Sequence, residues 1–127
     1  MIPEKSRRRI FKFPAMANCR YPARKTLDGL EEVEVILSGF GRFKDADGKW
    51  LNVSQGSMVW YRPGDEVEAE ADGSRPYITC VFLFEHDGQW AETPRLCVWR
   101  KPLDCLDFCA RSLEAFQEGR ADDAYWT

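Results

Sequence analysis

One histidine, His86, occurs in the 127 residues of this chain. That scarcity excludes most metal and nucleophilic chemistry. A transition metal needs about three or four nitrogen, sulfur or carboxylate ligands. A serine or cysteine nucleophile needs a neighbouring base. His86 shares a turn with Asp87-Gly88 and reads as a surface residue. Excess positive charge is missing as well. With 18 Lys+Arg against 21 Asp+Glu, the net charge is -3 and the pI about 5.2. Binding nucleic acid requires a basic face to neutralise phosphates, so this balance argues against one. No stretch reaches the ~18 apolar residues of a membrane span, and no glycine loop is present to cradle phosphate. The five cysteines form no CxxC pair and no regular spacing. Reduced thiols in a cytoplasmic protein are the expectation.

What is present suits one domain with a real core. At 44% apolar and 31% charged residues, the chain reads as soluble and globular. Ser6-Arg7-Arg8-Arg9-Ile10-Phe11-Lys12 looks like a twin-arginine export signal, but residues 13–20 are too short an apolar stretch and are broken by Pro14. The basic cluster therefore reads as a solvated arm.

Asp28-Gly29, Asp47-Gly48, Asp72-Gly73 and Asp87-Gly88 punctuate the sequence. Asp-Gly favours the positive-φ turns that close β-hairpins. Between these pairs lie short runs rich in β-branched and aromatic residues. The expected strands are 33–37, 50–53, 57–62, 77–84 and 96–99. In Glu66-Val67-Glu68-Ala69-Glu70-Ala71 the alternation predicts glutamates facing water and apolar residues facing inward. Regularly spaced short strands indicate a sandwich or jelly roll.

The pattern changes after Pro102, which suits the first turn of a helix. Leu106, Cys109, Leu113 and Phe116 are spaced three, four and three, one stripe of that helix, and Gly119 is placed to end it. Cys105 and Cys109 share a face and read as small buried residues. Ala121-Asp122-Asp123-Ala124 looks like the start of a second helix. A helix begun at residue 121 is the expectation for a piece of a longer protein.

Three stretches then carry a family resemblance: Val35-Ile36-Leu37-Ser38-Gly39-Phe40-Gly41-Arg42-Phe43, Gly56-Ser57-Met58-Val59-Trp60-Tyr61-Arg62-Pro63-Gly64, and Tyr77-Ile78-Thr79-Cys80-Val81-Phe82-Leu83-Phe84. In this order they resemble the cupin barrel, and more narrowly the N-terminal sensing domain of AraC-family transcription regulators. The resemblance is carried best by Glu31 to Glu85. It implies an all-β double-stranded β-helix or jelly-roll barrel over residues 31–100, after an arm and first strands over 1–30. Residues 101–127 become a dimerisation helix and the start of a second. Physical sense accompanies the motif: Gly39 and Gly41 flank a sharp turn, Pro63 terminates a ladder, and Gly64 lets the next strand start at a new angle.

Cupin enzymes usually hold a metal through two histidines, a glutamate and a third histidine after Pro-Gly. Counting along this chain, the glutamate falls on Glu32. The histidine positions fall near Thr26 and Asp28, or Lys25 and Leu27, and then on Val67. None is histidine, so neither metal nor other cofactor is expected. The resemblance implies a small effector, a sugar or polyol, inside the barrel. Its contacts would be Arg20 or Arg24, since the spacing fits the second and the local context the first. They are joined by Tyr77 and Thr79 on one strand face with Val81, by Glu32 and Glu34 on another strand, and by Trp60 unless it is a core residue. Phe11 and Phe13 could close the mouth as a lid. Val67 and Ala69 replace polar residues that the family often has after Pro-Gly, which suggests a more apolar pocket. The expectation is thus a non-enzymatic sensor, a homodimer through Leu106, Cys109, Leu113 and Phe116, with DNA bound by a helix-turn-helix part outside this chain. Its rivals are a metal-independent sugar isomerase or epimerase with Glu32 and Tyr77 as acid–base pair, and a structural dimerisation module with a filled barrel.

Overall fold

A computed structural model describes residues 7–26, 29–45, 47–85 and 96–117. The elements in chain order are β1 (Arg7–Pro14), β2 (Arg20–Lys25), β3 (Leu30–Ser38), β4 (Gly41–Lys44), β5 (Trp50–Val53), β6 (Ser57–Tyr61), β7 (Glu66–Ala71), β8 (Ile78–Glu85), β9 (Leu96–Val98) and α1 (Pro102–Gln117). The strands form two sheets, in the orders β1-β8-β3-β6-β9 and β2-β7-β4-β5. Every ladder between named strands is antiparallel. Helix α1 packs against the outer face of the larger sheet. No helix among the described residues is long and apolar enough to cross a membrane.

Two cores follow from side-chain alternation. On β3, β6 and β8 the residues Val33, Val35, Met58, Trp60, Cys80, Phe82 and Phe84 point toward α1, where they meet Cys105, Cys109, Leu113 and Ala115. The opposite faces supply Ile36, Val59 and Tyr61, which meet Phe43, Val67, Ala69 and Ala71 of the second sheet. The larger sheet is therefore covered on both sides.

The expected strands 50–53 and 66–71 coincide with β5 and β7, and the other expected strands differ from β3, β6, β8 and β9 only at their ends. The arm is a correction. Residues 7–14 are an edge strand paired with β8, because Ile10 seats in the helix-side core at 3% exposure while Phe11 and Phe13 turn to the other face. Interspersed Arg9 and Lys12 conceal that alternation in the sequence. The Asp-Gly turns divide. Asp47-Gly48 closes the β4–β5 hairpin, with Gly48 at φ 84° and the Asp45 carboxylate accepting from the amides of Asp47 and Lys49. Asp72-Gly73 closes no hairpin, because β7 and β8 lie in different sheets. Asp72 instead accepts from the amides of Ser74 and Arg75. Water-facing glutamates on β7 are a second correction. Glu66 is exposed, but Glu68 is covered by the side chains of Arg20 and Lys44. Asp28, the turn at 86–88, Gly119 and the second helix at 121 lie outside the described residues.

The helix stripe is also corrected. Cys109 and Leu113 are buried against the chain's own sheet, with Phe116 packed beside them, so that face of α1 is covered without a partner. Leu106 is half-buried, and Leu103, which precedes it by three residues, is 75% exposed.

Gly39 links β3 to β4 at φ 79°, and a Cβ there would overlap the Pro76 carbonyl oxygen. Gly64 has a similar φ of 87° but open space around it. Gly64→Ala should therefore cost about 1 kcal/mol, the left-handed backbone term alone. Gly39→Ala adds a steric clash against backbone and should cost at least about 3 kcal/mol. Urea denaturation of the two variants measures the difference.

Candidate functional site

The site begins with an inversion on β3. Glu32-Val33-Glu34-Val35 alternates, but Val33 and Val35 face α1 and the acids Glu32 and Glu34 face the space between the sheets. Their exposures are 4% and 6%. A buried carboxylate is tolerated only when paired or neutralised, and the two acids are handled differently.

Glu32 is paired. Arg24 Nη2 donates to both of its carboxylate oxygens, at 3.0 and 2.9 Å. Burial works against the Arg24 charge, but the hydrogen bond and charge of Glu32 outweigh it and raise the arginine pKa. Glu34 has no cation of its own. Burial pushes its carboxyl well above the ordinary glutamate range, and the hydrogen bond to Glu32 and the charge of Glu32 push the same way. Arg24 and the Thr79 hydroxyl only partly oppose this. Burial and the hydrogen bond with Glu32 thus favour the protonated form of Glu34. Burial also raises the pKa of Tyr61 and Tyr77, with Glu34 the largest charge acting on each.

Above these acids lies a cavity of about 440 Å³. Arg24 and Glu34 are the charged groups of its wall, and Tyr21, Phe43, Val67, Ala69, Tyr77 and Val81 supply much of the rest, with Phe11 and Phe13 from β1. The rings interlock. Phe13 meets Tyr21 edge-on at 5.3 Å, Tyr21 stacks on Tyr77 at 6.5 Å, and Tyr77 leans on Phe43 at 5.2 Å. A larger depression of about 530 Å³ lies at the end of the smaller sheet, around Phe40, Arg42 and Asp72. It has no buried charge on its wall, so the interior cavity is the functional candidate.

The structure separates the residues singled out in the sequence. Arg24, Glu34 and Tyr77 line the cavity, while Glu32 stands behind Arg24. Thr79 is fully buried, donates to the Val35 carbonyl at 3.2 Å and stands behind Glu34. Arg20 is on the outer face, bound to Glu68 at 2.7 Å and stacked near Trp50. Trp60 faces α1 and donates to Glu31 at 2.7 Å, so it is no part of the cavity. A bulge decides between the arginines. Tyr21 pairs with Ala69 and Arg24 with Val67, so three steps on β2 match two on β7. The extra residue brings both Tyr21 and Arg24 to the inner face. Tyr21 was not singled out, because no sequence signal locates that bulge. Phe11 and Phe13 do reach the cavity, as an edge strand forming its wall.

The positions that the cupin pattern would give to a metal do not fit one. Glu32 is engaged by Arg24, and Val67 has no donor atom. The Thr26 hydroxyl donates to the Arg62 carbonyl and accepts from the Gly64 amide, both at 2.8 Å, pinning the Pro63-Gly64 turn. Among the described residues no group of three His, Cys, Asp or Glu side chains could hold an ion. His86 lies outside those residues.

A family model described as the AraC-like ligand binding domain matches residues 21–96. No curated protein matches the sequence. Several solved structures share the fold. ToxT from Vibrio cholerae, in an apo form, is 11% identical with a TM-score of 0.62, over 84% of this chain and 46% of that one. A predicted oxalate decarboxylase from Thermotoga maritima is 22% identical with a TM-score of 0.52, over 61% of this chain and 64% of that one. A cupin protein from Bacteroides fragilis is 21% identical with a TM-score of 0.51, over 72% and 75%. The chain thus spans less than half of ToxT and just under two thirds of the Thermotoga protein.

Two outcomes test the cluster. Arg24→Ala leaves the Glu32 charge buried and alone. A fully buried broken pair costs about 3–5 kcal/mol; Arg24 is 54% exposed, so water screens part of this and about 2 kcal/mol is expected in urea denaturation. Arg20→Ala, on the solvent side, should leave the midpoint close to that of the parent. The second outcome concerns pH. The native state keeps the Glu34 proton above pH 4.5, the ordinary glutamate value, whereas the unfolded chain loses it. The native state then binds more protons, so stability falls as pH rises from 4.5 toward the native Glu34 pKa. Glu34→Gln removes this loss. Its melting temperature should gain on the parent's progressively from pH 4.5 to 7, and a constant difference would refute the protonated state.

Proposed function

The chain belongs to the AraC-like ligand binding domain family, and we propose that it is the effector-sensing part of a bacterial transcription regulator acting in the cytoplasm. The observation carrying this reading is the 440 Å³ cavity with Arg24 and Glu34 in an otherwise largely apolar wall, whose lining apart from Phe11 and Phe13 falls inside the family-matched region. Cavities of this size with few convergent polar groups are typical small-molecule sites. The winding of the two sheets is read as the family's jelly-roll barrel, and DNA binding is assigned to another part of the full regulator. Binding controls such a protein only through different affinity for its two states.

We infer a metal-free and non-catalytic role. Tyr77 has Glu34, not Glu32, as its strongest charged neighbour, and both acids are held in a hydrogen-bonded pair with Arg24 beside them. An acid–base pair for isomerisation would therefore be Glu34 with Tyr77. A polyol would have Tyr77 as a ring platform and Arg24 and Glu34 as hydroxyl partners. Few other polar groups line the wall, because Thr79 and Glu32 stand behind it, so an effector with a substantial apolar body fits better than a free sugar. Homodimerisation through α1, if it involves the face left open by the chain's own sheet, uses Leu103 and Leu106.

Thermal-shift screening of a small-molecule library against the parent and Ala69→Phe tests the reading. Ala69 is buried on the cavity wall, and a phenyl ring there fills the space. A ligand at ~100 times its Kd stabilises the folded state by about 2.7 kcal/mol. Compounds that raise the parent's melting temperature should fail to raise that of the filled variant. Equal shifts in both would place binding elsewhere, and turnover of a hit would favour the enzyme.

A further inference from the structure

The charges lining the cavity, taken with their direct partners, do not sum to a positive value; Arg9 is exposed and lies over the Phe11 ring at 4.6 Å without lining the cavity. Arg24 supplies one positive charge, and the Glu32 carboxylate against it cancels that charge. Glu34 adds nothing when protonated and one negative charge when ionised. An anionic ligand thus meets an arginine already neutralised, with a second acid alongside. A ligand with one positive charge meets a group able to become its counter-ion.

The walls favour the same sign. Phe11, Phe13, Tyr21, Phe43 and Tyr77 converge on the cavity, and aromatic faces attract cations. Tyr77 adds an independent sign. It is 2% exposed, yet among the described residues its hydroxyl makes no hydrogen bond. A buried hydroxyl without a partner is uncommon and suits a polar ligand atom. An ammonium N–H can donate to it.

We propose that the cavity binds a small protonated amine carried on an apolar body, with the ammonium between Glu34 and Tyr77 and the body against the aromatic walls. This rests on the effector-binding reading and names its ligand class. On binding, the Glu34 O–H bond breaks, its proton passes to solvent, and the carboxylate left behind pairs with the ammonium. With Glu34 protonated the cluster is neutral before binding, and cluster plus ligand is neutral afterwards, so no net charge is buried. The groups facing Glu34 are Glu32 on its own strand, Arg24 from β2, Tyr61 from β6, and Tyr77 and Thr79 at and beside the start of β8. The cavity walls from β1, β4 and β7 facing it are the apolar Phe11, Phe13, Phe43, Val67 and Ala69. Arg24 stays charged and Tyr61 and Tyr77 stay neutral between pH 5 and 9, leaving Glu34 as the group that exchanges a proton.

Isothermal titration of the 127-residue chain with three probes of one shape tests this: 2-phenylethylamine, the neutral 2-phenylethanol and the anionic 3-phenylpropionate. The amine should bind at least tenfold more tightly than either analogue. Titrations in phosphate and Tris should report about one proton released per amine, and affinity should rise about tenfold per pH unit below the free-state Glu34 pKa. Glu34→Gln preserves shape and hydrogen bonding but cannot ionise. It should lose tenfold or more for the amine and lose the proton release. Tighter binding of the alcohol or the propionate overturns the amine proposal while leaving the effector reading intact. Amine binding without proton release, or unchanged in Glu34→Gln, also overturns it, as does the absence of amine binding at millimolar concentration. The library screen with Ala69→Phe decides the broader reading independently.

Discussion

The inward-facing acids of β3 constrain everything packed around them. A two-sheet fold ordinarily turns its apolar side inward and its polar side to water. On β3 the acids Glu32 and Glu34 take the inner side, and Val33 and Val35 are left facing out. With Met58, Trp60, Phe82 and Phe84 they form an apolar surface that water would penalise. Helix α1 covers it with Cys105, Cys109 and Leu113. Inside, one acid requires a cation and receives Arg24. The other receives none, and burial favours its protonated form. The docking of the helix and the polarity of the cavity are therefore consequences of one strand's phase.

This explains which parts of the fold could be read from residues alone. Strands such as β5 and β7 announce themselves, because β-branched or alternating residues fall between turn signals. The inner phase of β3 was less obvious. Both of its faces are buried, so alternation tells that Glu32 and Glu34 share a face without telling which face is which. Trp60 met the same ambiguity. Its parity with Met58 was certain, but only the position of α1 assigns that face to the helix side. Likewise, a helical stripe of Cys109 and Leu113 says that something covers it. Whether the cover is a second copy or the chain's own sheet depends on long-range packing that spacing does not encode.

The arginines illustrate a different limit. Arg20 and Arg24 are four residues apart and in a regular strand would point the same way. The bulge between Tyr21 and Arg24 reverses one relative to the other, sending Arg20 to Glu68 and Arg24 to Glu32. A bulge leaves little trace in composition. The Pro63-Gly64 turn, by contrast, was legible because its chemistry is local. Thr26 fixes it from outside, at a place where the cupin pattern would set a metal ligand. Val67, the first inward residue after that turn, is correspondingly a wall residue of the cavity.

Strand β1 joins the two sides of the larger sheet. Among the described residues it lies at the sheet edge and pairs with β8 alone, so fewer ladder interactions hold it than hold β3 or β8. Edge segments of this kind open at lower free energy than the sheet interior. Its alternate residues reach different cores: Ile10 enters the one beneath α1, while Phe11 and Phe13 wall the cavity. An occupant resting on those rings gains contact only while β1 is docked, and a docked β1 also places Ile10 against the core that α1 caps. Any change in how β1 docks would act on both the cavity wall and the core under α1, since a contact made in one state alone shifts the balance between states. Strands β3 and β8, by contrast, have neighbours on both sides.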